Sequence, residues 1–152
     1  MAIATLTHAA GLSSTGDPAL DAHLPLAERY DIPPATVAAV QGARRVIAVG
    51  TTVVRALEGC VQQSGRLVAG PGETDLVIRP GFGPRVVHGL LSGIHEPAES
   101  HFDLLGAFAP ASALQAAWRH ANAAGYRNHE LGDLVLVLPE TAVPAGRDQG
   151  FS

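Results

Sequence analysis

A chain of 152 residues with 47% apolar and 16% charged side chains is long enough to bury the core of one domain. All 10 cationic residues are arginine, which excludes a Schiff-base lysine, a P-loop lysine and a lysine general base. The net charge of −4 argues against this chain binding nucleic acid by itself through phosphate neutralisation, and the single cysteine, Cys60, excludes an internal disulfide and a multi-thiolate metal site.

No apolar run approaches the ~20 residues of a membrane-spanning helix. Residues 1–5 lack the basic start and long apolar stretch of a signal peptide, so a cytoplasmic setting is expected. Residues 2–6 predict a short strand. Residues 9–23 mix Gly, Ser, Thr, Asp and Pro and read as a long loop, making residues 1–23 a loop-rich N-terminal segment. Pro33 and Pro34 suit the first turn of a short helix that runs to about Gln41 and ends at Gly42.

Residues 45–50 are a β-branched, apolar run, expected as a central parallel strand covered on both faces. A helix follows over residues 51–63, closed by Ser64-Gly65, with Cys60 a buried thiol upon it. Gly70-Pro71-Gly72 reads as a loop, residues 74–79 as a strand stopped by Pro80-Gly81, and residues 86–91 as another strand. A polar loop from His95 enters a helix near Glu99, which turns Phe102, Leu105 and Phe108 to one face with Leu104 beside them. A further helix covers residues 111–124 with Leu114 and Trp118 inward. A last apolar strand covers residues 133–138, and the tail from Pro139 to Ser152 is expected to be loose.

Strands that alternate with helices and carry no polar face predict one α/β domain over residues 1–138, with a largely parallel sheet flanked by helices. Ligands of such sheets sit beyond the carboxyl ends of the strands. The turns at Gly50-Thr51-Thr52, at Pro80-Gly81-Phe82 and at His95 each follow an expected strand, so one crevice would collect all three.

Several residues there have the chemistry to act. A helix start at Gly50-Thr51-Thr52 offers unpaired N–H groups to an anion, and the alternative is that one threonine only caps the helix. Arg55 lies one turn on. It either clamps an anion or pairs with Glu58 three residues away. The segment from His95 to His101 holds two histidines, Glu96, Glu99 and Ser100; His95 or Glu96 would serve as general base, with Ser100 orienting a ligand. Its spacing is not that of a zinc protease, and no metal is expected. Metal-assisted hydrolysis through His95, His101 and either His129 or Asp133 stands as a rival. The polar turn from Tyr126 to Asp133 reads as structural. His8 would reach the crevice if the first strand were central.

Three segments carry a family resemblance. Residues 45–58 are similar to R-V-I-A-V-G-T-T-S-V-R-x-L-E. Pro80-Gly81-Phe82 and then Gly93 to Ser100 are similar to P-G-Y and N-F-H-L-P-x-S. Tyr126-Arg127 through Gly132-Asp133 is similar to Y-R-F-x-S-Y-G-D. Thr7-His8-Ala9-Ala10-Gly11 resembles L-H-V-G-x-G-T. Their order and spacing resemble the S-adenosylmethionine:tRNA ribosyltransferase-isomerase family of queuosine biosynthesis, and His95-Glu96-Pro97 and His129-Glu130 resemble a divergent branch of it.

The resemblance covers the C-terminal part of that family's α/β domain and includes neither its upstream half nor its inserted β-barrel domain. It implies transfer of the ribosyl group of S-adenosylmethionine to a 7-aminomethyl-7-deazaguanine base of tRNA, with isomerisation of the ribose. It further implies S-adenosylmethionine as cosubstrate and tRNA as partner. Gly50, Thr51, Thr52, Arg55, His8 and Ser100 are then candidates for holding the cosubstrate, and His95 and Glu96 for the chemistry. A non-catalytic module, completed by a partner chain or by a second copy of itself, remains the alternative because the upstream half is missing.

Overall fold

A computed structural model of the chain describes residues 1–11, 16–22, 26–97, 99–128 and 132–139. The loose tail expected after Pro139 lies outside these residues, as do His23, Ala98, His129 and Glu130. The elements in chain order are β1 (Thr7–Ala9), α1 (Pro18–Asp21), β2 (Glu28–Ile32), α2 (Pro34–Gly42), β3 (Ile47–Val49) and α3 (Thr51–Ser64). They continue with β4 (Gly70–Thr74), β5 (Gly89–Gly93), α4 (Ser100–Leu105), α5 (Ala111–Ala123) and β6 (Leu134–Val137). No helix among the described residues is long and apolar enough to cross a membrane.

The α/β class holds, and the pairing is mixed. One sheet has the order β1-β2-β4 and is antiparallel throughout. The other has the order β3-β5-β6, in which β3 and β5 run parallel and β6 runs against β5. An apolar run reports burial and carries no information on strand direction, so the expectation of a largely parallel sheet was open to this outcome.

Helix α3 lies between the sheets and supplies much of the core. Val54, Ala56, Leu57, Cys60 and Val61 on it are buried, against Ile32 of β2, Ala48 of β3 and Leu90 of β5. Gly65 ends it in the left-handed conformation at φ 72°, where a side chain would be strained. Cys60 is buried as expected, its sulfur accepting from the Val68 N–H at 3.4 Å.

Two segments trade places relative to the sequence reading. The expected loop Gly70-Pro71-Gly72 is strand β4, because Gly72 has no side chain to obstruct the Tyr30 ring that lies against it. The expected strand over residues 74–79 forms no ladder beyond Thr74. Leu76 and Ile78 still alternate inward with Val77 outward, so the period was right and the partner strand is missing. Strand β2 carried no expectation at all, although Glu28, Tyr30 and Ile32 alternate inward along it.

The β3-β5-β6 sheet departs from expectation in one further respect. Its register sets Val49, Leu91 and Leu136 in one row, and Ile47 and Val49 of β3 and Leu134 and Leu136 of β6 are exposed. The core covers one face of this sheet and leaves the other apolar and open.

Candidate functional site around Arg55 and His95

The turn from β3 into α3 is built by Gly50. Its φ of 91° and ψ of 146° lie outside what side-chain-bearing residues adopt readily, and its N–H donates to the Leu91 carbonyl at 2.8 Å. This bond fixes the turn beside the end of β5, where Ser92 and His95 follow. The helix is capped by Gly50, and neither threonine supplies the capping hydrogen bond allowed for above. Thr51 is buried and Thr52 half-buried at the first two helical positions.

Arg55, one turn on, does not pair with Glu58. Its Nη1 lies 2.7 Å from Glu28 Oε2, and its Nε donates to the Leu76 carbonyl at 3.1 Å. Glu58 is held elsewhere, by the N–H groups of Arg85, Val86 and Val87 at 2.9, 2.9 and 2.8 Å. Helical spacing made the Arg55–Glu58 pair available, and the two side chains instead took partners of larger sequence separation.

Glu28 is the residue the sequence reading missed. It lies on β2 with its side chain only 4% exposed. Its Oε1 accepts from the Gly11 N–H at 2.7 Å, and its Oε2 is 3.2 Å from His8 Nε2 as well as 2.7 Å from Arg55. The two Oε2 contacts are close yet off the line of a directed hydrogen bond, so they act by charge more than by alignment. His8 belongs to β1, an edge strand, and reaches Arg55 through this shared carboxylate and not through the central placement considered above. The signal that would have found Glu28 is its inward place in the alternation with Tyr30 and Ile32; a charge buried at that position requires partners.

Burial pushes the His8 imidazole below its ordinary 6.5; the Glu28 carboxylate opposes this and the Arg55 guanidinium adds to it. Folding therefore favours the neutral ring. The stability it contributes is complete above the unfolded value of 6.5 and is lost as pH falls through the lower folded value. Urea unfolding midpoints are expected to fall between about pH 7 and about pH 5 by more in the wild type than in His8→Asn. Equal losses in the two proteins would contradict this assignment.

His95 is organised separately. It is buried, with Nε2 at 3.0 Å from Ser92 Oγ and Nδ1 at 3.2 Å from Glu99 Oε2. A carboxylate at Nδ1 places the ring proton there, leaving Nε2 to accept from the serine hydroxyl. Glu99 Oε2 also accepts from the Glu96 backbone N–H at 3.3 Å, while the Glu96 side chain points to solvent and Ser100 is exposed at the start of α4. His95 borders a cavity of about 260 Å³ walled by Ile94, Phe102, Trp118, Tyr126 and Val135.

Among the described residues, His95, Glu99 and His101 bring ligand atoms within 4.8 Å of one another, a set with the donors a zinc-like ion takes. The His129 considered for that role lies outside the described residues, and Asp133 accepts from the Arg127 N–H at 2.8 Å. Of the three turns expected to share a crevice, those at Gly50 and His95 follow the neighbouring parallel strands β3 and β5. The third, at Pro80-Gly81-Phe82, packs its proline against Gly106 beyond α4.

Comparison with known proteins converges on one family. A family described as "Queuosine biosynthesis protein" matches residues 1–137. The S-adenosylmethionine:tRNA ribosyltransferase-isomerase of Gloeobacter violaceus is 41% identical over 116 residues, which cover 74% of this chain and 33% of the relative. The protein of the same name from Thermus thermophilus is 44% identical over 127 residues, covering 81% of this chain and 36% of the relative. The crystal structure of S-adenosylmethionine tRNA ribosyltransferase from Thermotoga maritima superposes with a TM-score of 0.64 at 36% identity, over 73% of this chain and 40% of that one. The chain spans about a third of the length of the curated relatives it matches.

Proposed function

The chain belongs to the queuosine biosynthesis protein family, and on that premise we propose that it carries the S-adenosylmethionine-binding part of a ribosyltransferase-isomerase acting on a 7-aminomethyl-7-deazaguanine base of tRNA. The observation that carries this reading is the start of α3. Its N-terminus has no side-chain cap, and a guanidinium one turn on is wired to a buried carboxylate and an imidazole.

In this reading the backbone N–H groups and hydroxyls of Thr51 and Thr52 receive the negative and polar groups of the cosubstrate, and Gly50, whose own N–H is held by the Leu91 carbonyl, shapes the turn that presents them. Arg55 adds a fixed positive charge beside them, and His8 and Ser100 complete the binding set. The cavity beside His95 has the apolar, aromatic walls that suit a flat heterocycle. His95 moves protons, because Glu99 holds one ring nitrogen and the other engages the Ser92 hydroxyl. Glu96 is its solvent-facing neighbour. Net charge −4 leaves most phosphate contacts to tRNA to residues beyond this chain.

Calorimetric titration with S-adenosylmethionine tests the reading. Saturable binding to the wild type is expected, with a loss of roughly 10–100-fold in Arg55→Ala, the scale of removing a charged partner at a polar site. A folded protein that binds no S-adenosylmethionine would remove the reading.

One observation favours a second reading, a non-catalytic module. The open face of the β3-β5-β6 sheet needs cover, and the chain spans only about a third of its relatives' length. The occupant in this reading is the remainder of the family's body. The chain alone is then expected to self-associate at high concentration, and Val49→Lys with Leu136→Lys to suppress it. A monomer by light scattering at all concentrations would count against this reading.

A further inference from the structure

The Glu28 carboxylate joins three parts of the chain that are distant in sequence: the segment after β1 through Gly11, β1 itself through His8, and α3 through Arg55. Four polar atoms of the cluster are buried without a hydrogen bond: His8 Nε2 and Glu28 Oε2, which lie 3.2 Å apart as an ion-pair contact, and His8 Nδ1 and Arg55 Nη2, which have no such contact. Buried polar groups are nearly always satisfied, so a pair left open beside a fixed carboxylate calls for an explanation. The side chain of His8 is 5% exposed and that of Arg55 is 17% exposed with Nη2 itself buried, so a ligand gains the pair only from the arginine side and by a local opening there.

The charge on Glu28 decides which nitrogen of His8 carries the proton. Glu28 Oε2 lies 3.2 Å from Nε2, off the line of a directed hydrogen bond, and by charge alone its proximity favours a proton on Nε2 over a lone pair there. The proton of the neutral ring therefore sits on Nε2, and Nδ1 is a lone-pair acceptor. Arg55 Nη2 is a donor by its chemistry. An acceptor and a donor on two side chains that share one carboxylate oxygen match a ligand rich in hydroxyl groups, which both give and take hydrogen bonds.

We propose that Glu28 is a positioning residue, fixing His8 with Nε2 protonated and Arg55 in place, so that Nδ1 and Nη2 receive the hydroxyl groups of a ribosyl-bearing ligand. The ligand's identity rests on the function proposed above; the arrangement of the three side chains does not. Glu28→Gln is the informative change. It keeps the shape and an oxygen for the Gly11 N–H, and it removes the charge that selects the tautomer and holds the guanidinium.

Two-dimensional proton–nitrogen spectra of histidine-labelled protein at neutral pH, with His8 identified by its loss in His8→Asn, read the tautomer directly. The wild type is expected to show a protonated Nε2 and a bare Nδ1, and Glu28→Gln a shift of population toward the other tautomer. Glu28→Asp should restore part of the wild-type pattern. S-adenosylmethionine should move the Nδ1 resonance of the wild type and bind Glu28→Gln roughly 10–100-fold more weakly, the loss typical of a removed orienting group. A protonated Nδ1 in the unliganded wild type, or an unchanged tautomer in Glu28→Gln, overturns the positioning role whether or not the ligand binds. Bound ligand that leaves Nδ1 unmoved overturns the hydroxyl contact. Absence of any binding removes the ribosyl ligand and the proposed function with it, and leaves the tautomer result to decide the role of Glu28.

Discussion

Glu58→Ala is expected to unfold most of the chain at room temperature. The Glu58 side chain, 1% exposed, is the acceptor for three successive backbone N–H groups, those of Arg85, Val86 and Val87. Removing it leaves these donors, one buried and two partly buried, without their acceptor. At about 1–3 kcal/mol for each unsatisfied group, the sum over three is roughly 3–9 kcal/mol, comparable to the whole stability of many domains. The loop so anchored leads directly into β5, and Arg85 in the same loop donates to the Val61 and Gly65 carbonyls at the end of α3. Chemical denaturation is the direct measurement. A loss below about 1 kcal/mol would show that water replaces the carboxylate and that the anchor is dispensable.

Glu28→Ala should come next in severity, for a different reason. Here the loss is of a counter-charge: Arg55, 17% exposed at its side chain, keeps its positive charge with the carboxylate gone. Breaking one partner of a buried pair typically costs about 3–5 kcal/mol, and the partial exposure of Arg55 puts the expected value near the lower end. The Gly11 N–H loses its acceptor as well. The double variant Glu28→Leu with Arg55→Met removes both charges, and is expected to recover most of the stability while abolishing S-adenosylmethionine binding. Recovery of both together would take Arg55 out of the proposed site. A double variant no more stable than Glu28→Ala would show that packing, not charge, makes Glu28 important.

Four of the five described helices and two of the strands were legible because their signals are local; α1 (Pro18–Asp21) lies within the expected loop over residues 9–23. Pro33-Pro34 and Gly42 bracket α2, Gly50 and Gly65 bracket α3, and Leu134–Val137 is apolar as expected for β6. What escaped the sequence depends on distant partners. Gly70-Pro71-Gly72 reads as a turn by composition and becomes a strand because Tyr30 needs the space above Gly72. Residues 75–79 have the alternation of a strand, yet the Leu76 carbonyl is taken by Arg55 and not by a neighbouring ladder.

The candidate site divides in the same way. Gly50, Arg55, His8 and His95 were recognisable by residue type and motif. Arg55 was assigned the wrong alternative partner in Glu58 because helical proximity is visible in a sequence and tertiary proximity is not. Glu28 was overlooked since nothing local marks a glutamate as buried; only its strand neighbours Tyr30 and Ile32, pointing the same way, betray it. Ser92 is hidden similarly within an apolar strand and acquires meaning only from the His95 ring 3.0 Å away.

In the function proposed above, the start of α3, with Arg55, Glu28 and His8, receives S-adenosylmethionine. A crystal structure of the chain grown with that ligand tests it most directly. Density for the ligand is expected within hydrogen-bonding reach of the Gly50-Thr51-Thr52 turn, Arg55 and His8 Nδ1. Ligand bound at another surface, with these groups untouched, would contradict it.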